Sequence, residues 1–179
     1  MINDYEATHP MTTDAIPAYD DTTPNDEVIS TLNGLIQTCK DGQEGFKDAA
    51  ENVKSPSLKA LFFENSLERS RFVGELQELV RSLGGDPEKT GTLLAAVHRG
   101  WLDLKTAISS NDEAAVLNEC ERGEDSAKAT YAAAIAKALP DQVLDLVKTQ
   151  SKSINEAHDR IKALRDAAND AVLKAAAAK

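Results

Sequence analysis

The stretch SPSLKALFFENSLERSRFVGELQELVRSLGGDP, residues 55–87, is punctuated at both ends and striped between them. Ser55 before Pro56 is a cap followed by proline at the first helical position. Gly84-Gly85, with Pro87 beyond, is a stop. Leu58, Leu61, Phe62, Phe72, Leu76, Leu79, Val80 and Leu83 recur at helical spacing, which predicts one amphipathic helix from 56 to 83. Its apolar face is interrupted. Asn65 and Arg69 fall inside the stripe and Glu68 on its flank. An arginine on a buried face needs partners.

Working outward, the same pattern recurs. Pro24-Asn25-Asp26-Glu27 reads as the start of a helix running to Val53, with acidic residues near the positive end of its dipole. Its stripe is Ile29, Leu32, Leu35, Ile36, Cys39, Phe46, Ala50 and Val53. A shorter helix is expected over 92–109, then a capping box of Ser110 with Glu113 opening a third long helix to Ala138. That helix buries Val116, Cys120, Ala127, Tyr131, Ala134 and Ala138. Pro140 opens a fourth, striped by Val143, Val147, Ile154, Ala157, Ile161 and Leu164.

Two of the connections are short and make antiparallel hairpins. The middle one is about 28 residues and carries its own helix, roughly 27 Å long at the usual rise, so the second and third long helices are free to run parallel. The expected class is all-α: a ferritin-like antiparallel four-helix bundle with a long helix-containing crossover between the second and third helices. The bundle spans 25–168. Residues 1–24, polar and with three prolines, read as a disordered tail, and 169–179 as an Ala/Lys-rich helical or frayed tail.

Composition narrows the partners. The 179 residues carry a net charge of −10, which repels phosphate, so neither nucleic acid nor an anionic membrane is expected. No apolar run approaches a membrane span and no signal peptide opens the chain, which makes the cytoplasm the default. Aromatics are 4%, so the core is aliphatic and small. Cys39 and Cys120 each fall on a helical stripe, offset by about seven residues or roughly 10 Å, and should not pair.

Placed at about 100° per residue, several polar residues fall within apolar faces at matching heights. They are Gln43, Asn65, Arg69, Glu124 and Gln150, with Glu68, Glu121 and His158 on flanks. One reading is a buried Arg69–Glu124 ion pair that fixes register, with no cofactor. Another is a metal site built from Glu68, Glu121, Glu124 and His158, holding iron or manganese. A small-ligand pocket or a proton path is the third. The positive charge of Arg69 sits where a metal would want an anion.

The strings CKDGQEGFKDAAENVKSPSLKALF, ELQELVRSLGGDP, HRGWLDLK, ECERGEDSAKATY and AHDRIKALRD together resemble an uncharacterised bacterial family of ferritin-like four-helix-bundle proteins, a domain of unknown function. The resemblance spans about residues 26–168. It implies the ferritin-like fold, and with it a comparison to di-iron proteins, whose helices bring glutamates and Glu-x-x-His pairs together. Here Glu44 lies off its stripe with Gln43 in it, Glu68 is followed three residues on by Arg71, and His158 is preceded by Asn155. Glu121 and Glu124 keep the carboxylates of the third helix.

Trp101, with Leu94, Val97, Leu104 and Ile108, is expected to pack the crossover helix onto the bundle, with His98 on the flank. Gly42 and Gly45 inside a helix call for a close approach or a kink. No phosphate loop, nucleophile elbow or basic aromatic patch is present. Long antiparallel helices also pair side by side, so a homodimer is expected to be accessible.

Overall fold

The computed structural model describes residues 22–87, 104–109 and 112–177. These form five helices and no strand: α1 Thr22–Asn52, α2 Pro56–Ser82, α3 Leu104–Ser109, α4 Glu113–Ile135 and α5 Asp141–Ala177. No described helix is long and apolar enough to cross a membrane.

The ends show where the local signals held and where neighbours overrode them. Ser55 caps α2, its Oγ accepting from Leu58 N at 3.4 Å. Gly84 takes a φ of 78°, open to glycine at no steric cost, and ends that helix. Gly85 lies so close to α1 that an added Cβ would come within 2.8 Å of Ile29. α1 begins at Thr22, not at Asn25, so Pro24 sits within its first turn and the expected acidic first turn is absent. The expected Ser110–Glu113 capping box is also corrected. Asp112 caps α4, accepting from Ala114 N at 2.9 Å, while Glu113 reaches across to the α1–α2 turn and accepts from Lys54 N at 2.9 Å and Ser55 N at 2.6 Å. Ser110 lies outside the described residues, as do Trp101, His98 and residues 1–21.

Contacts set the directions. Gly85 against Ile29 and Ser66 bonded to Gln43 make α1 and α2 antiparallel. Lys137 bonded to Thr31 and Glu113 to Lys54 do the same for α1 and α4. α2 and α4 therefore run in the same direction. α5 returns antiparallel to α4, with Tyr131 meeting Gln150 near one end and Glu121 meeting Arg165 near the other.

The four long helices enclose two apolar clusters. One holds Leu32, Leu35, Cys39, Phe72, Leu76, Tyr131, Val147 and Ile154. The other holds Phe46, Val53, Phe62, Leu104, Leu117, Cys120 and Ile161. Val28, Ala49 and Leu117 join the core beyond the stripes read from sequence, whereas Ala138 and Leu164 are exposed. Ala138 lies past the end of α4, where helical phase no longer applies. Leu164 opens onto a cleft of about 260 Å³ between α2 and α5.

Candidate functional site

Between the two clusters every long helix changes character. Cys39 and Phe46 bracket Gly42 and Gln43 on α1; Phe62 and Phe72 bracket Asn65, Ser66 and Arg69 on α2. Cys120 and Ala127 bracket Glu121 and Glu124 on α4, and Ile154 and Ile161 bracket His158 on α5. The apolar core is thus cut by one polar layer.

At its centre Arg69 Nη2 donates to Glu124 Oε2 at 2.7 Å, with both side chains 1% exposed. Arg69 Nη1 reaches the half-buried Glu68 at 3.4 Å. The guanidinium lies over two aromatic rings, 5.4 Å from the Phe72 ring centre and 5.9 Å from that of Phe46, a cation–π environment beside its ion pair. An added Cβ at Gly42 would meet the Arg69 stem at 3.5 Å. Ser66 Oγ donates to the Gln43 carbonyl at 2.9 Å, so Gln43 contributes its backbone to this layer.

The pair is not fully satisfied. Glu124 Oε1, Arg69 Nε and Asn65 Nδ2 have no hydrogen-bond partner among the described residues. Burial lifts the Glu124 carboxyl above its ordinary range, outweighing the pull of Arg69. Burial works against the charge on Arg69 too, but Glu124 together with Cys39, Glu68 and Tyr131 outweighs it and the guanidinium is held more firmly protonated. Glu124 is the less compensated of the two, because one of its two oxygens is left without a donor.

Gln150 belongs to a second network, inside the first apolar cluster. Tyr131 donates to Gln150 Oε1 at 2.8 Å, and Gln150 Nε2 donates to Glu75 Oε2 at 2.7 Å. With the phenol proton committed, the Cys39 thiol donates to the Tyr131 oxygen at 3.1 Å. Burial pushes Cys39 up to about 11 and Cys120 and Tyr131 well above their ordinary values. Both cysteines are free and sit in different clusters.

Of the four residues read as metal ligands, the structure joins two. His158 Nε2 lies 3.9 Å from Glu121 Oε1, while Glu68 and Glu124 face Arg69. Asp125, outside the apolar stripes, lies 3.0 Å from His158 Nε2. Arg165 binds the other oxygen of Glu121. Position i+4 from Glu121 was the available signal for Asp125; nothing in the pattern marked Arg165.

Residues 27–137 match the model of a family described as Domain of unknown function (DUF2383). The chain belongs to that family. The stretch shared with the DUF2383 model contains Arg69 and Glu124 and ends before Gln150, His158 and Arg165. No curated protein matches this DUF2383 chain.

Proposed function

We propose that this DUF2383 protein is a ferritin-like antiparallel four-helix bundle, with the segment between α2 and α4 as its long crossover, serving a non-catalytic binding or stress-related role in the cytoplasm. Parallel α2 and α4 between two antiparallel hairpins support the topology. The observation that carries the functional reading is the buried Arg69–Glu124 pair. A guanidinium occupies the mid-bundle level where a dinuclear iron or manganese centre would gather carboxylates, and it engages two of the four candidate ligands, Glu68 and Glu124. That donor set does not fit a dinuclear centre, so no chemistry is routed through one.

The surface this reading offers to a partner is the α2–α5 seam, where a cleft of about 540 Å³ has Leu79 and Leu146 among its lining and Glu75, Glu78 and Asp145 around them. Its acidic character and the net charge of −10 argue against nucleic acid. Phe63 and Leu67, exposed one turn apart on α2, are the surface to test for a homodimer. The deciding experiment mixes protein with ferrous iron in air. Ferrous oxidation is expected to proceed no faster than in buffer. Rapid oxidation of two irons per chain, abolished by Glu124→Ala, would replace this reading with the metalloprotein one.

A further inference from the structure

The polar layer has an outer edge between α4 and α5 whose chemistry the ion pair leaves unused. Glu121 and Asp125 stand one turn apart on α4, and His158 of α5 faces both. His158 Nε2 is 3.0 Å from Asp125 Oδ1 and 3.9 Å from Glu121 Oε1, and one donor atom from each of the three residues lies within 4.8 Å of the other two. His158 and Glu121 are buried, and Asp125 is 62% exposed. The two buried members are held from behind. Arg165 binds Glu121 Oε2, leaving Oε1 toward the imidazole. His158 Nδ1 lies 2.8 Å from Asp159 Oδ1 and 3.1 Å from Lys128 Nζ. Asp166 in turn binds Arg165 at 2.7 Å.

We propose that Glu121, Asp125 and His158 form a mononuclear site for a divalent transition-metal ion, closed on the core side and open to solvent at Asp125. Imidazole with carboxylates suits zinc, iron, cobalt or manganese better than magnesium or calcium, which prefer oxygen alone. Metal–ligand bonds of about 2.0–2.2 Å place donors roughly 3 Å apart around a common ion. His158 Nε2 and Asp125 Oδ1 already stand at that spacing, and the Glu121 carboxylate has to close on the imidazole by about 1 Å. Asp159 supplies the outer partner that a metal-bound histidine usually has: its carboxylate accepts a hydrogen bond from Nδ1–H, which leaves the Nε2 lone pair for the ion. Charge points the same way. Glu121, Asp125, Asp159 and Asp166 stand against Arg165 and Lys128, with Lys162 also acting on Asp159, so with a neutral imidazole the cluster is net negative, which favours a cation. Lys128 then yields Nδ1 to Asp159, a change its flexible stem accommodates. The site is separate from the Arg69–Glu124 pair and stands whether or not that reading holds.

The test uses the full chain after chelator treatment, titrated with Co²⁺ by visible absorption and with Zn²⁺ by calorimetry. One equivalent is expected to bind, with cobalt ligand-field bands that zinc displaces and that magnesium or calcium at equal concentration does not. His158→Ala should abolish the bands, Asp159→Asn should weaken binding about 10–100-fold, and the double variant Arg69→Met/Glu124→Leu should keep them. Helical circular dichroism of His158→Gln checks that folding survives. In zinc-loaded protein, long-range ¹⁵N spectra should put the proton of His158 on Nδ1. Absence of cobalt bands, bands that survive His158→Ala through His9 or His98, or a proton on Nε2 at saturating zinc would each overturn the site.

Discussion

Arg69 and Glu124 illustrate how a buried contact and a stabilising contact differ. The pair is closely bonded and its guanidinium lies near the Phe46 and Phe72 rings, yet Glu124 keeps one oxygen without a donor. Desolvating both charges offsets most of their attraction, so the pair contributes little net free energy, whereas removing one partner strands the other in the core. Glu124→Ala should therefore lower unfolding free energy by about 3–5 kcal/mol. Arg69→Met/Glu124→Leu should cost far less, or stabilise, in the same urea titration. A double variant as damaged as the single one would show that the pair itself holds the fold. These two residues were legible because each breaks a helical stripe near its centre, at heights that agree when counted from the turns. Gln150 was legible as buried but not in its place: it serves Tyr131 and Glu75 about two turns from His158. Arg165 was not legible, and Asp125 only as the carboxylate one turn beyond Glu121, since an exposed carboxylate and a half-buried arginine follow the ordinary surface pattern until the α4–α5 register is known.

At the scale of elements, stripes survived and ends moved. Four long helices follow from apolar spacing because each buries one face against the others, and burial dominates over local preference. Ends are set by single hydrogen bonds, which neighbours redirect. Ser110 with Glu113 had the sequence of a capping box, but Glu113 is drawn to the free amides of the α1–α2 turn, where it binds both Lys54 N and Ser55 N, and Asp112 takes over the cap. One short segment thereby joins α4 to the first hairpin. Asp112→Ala should destabilise by about 1 kcal/mol, the usual cost of an N-cap. Glu113→Ala should cost a similar amount and, unlike the cap variant, should speed hydrogen exchange at Lys54 and Ser55. Equal exchange in both variants would mean that Glu113 acts only near the α4 dipole. Gly42, puzzling within a helix, now has a neighbour, the Arg69 stem, although its distance is that of ordinary contact and does not exclude alanine.

Taken whole, the molecule is two apolar clusters on either side of a charged layer, and each cluster encloses one thiol. Cys39 sits in the cluster with Tyr131, and Cys120 in the other. Burial disfavours the thiolate and phenolate, raising Cys39 from 9.0 to about 11 and moving Cys120 and Tyr131 up as well. In the unfolded chain these groups ionise at their ordinary values. Above about pH 9 the folded state therefore holds more protons than the unfolded one, and stability falls as pH rises. The contribution of Cys39 is fully present below 9.0 and is lost as pH climbs toward about 11. Each such group adds a slope of about 1.4 kcal/mol per pH unit within its own window. The melting temperature should hold near neutral pH and drop between pH 9 and 10.5, from both clusters at once because the fold is shared. Cys39→Ala/Cys120→Ala should lower stability at pH 7.5, through lost packing and the lost bond to Tyr131, yet flatten the alkaline slope. Wild-type thiols should likewise resist alkylation at pH 8.5 until denaturant is added. An alkaline slope unchanged in the double variant, or rapid alkylation of the native protein, would place the thiols in contact with water and remove the two-cluster core as the cause.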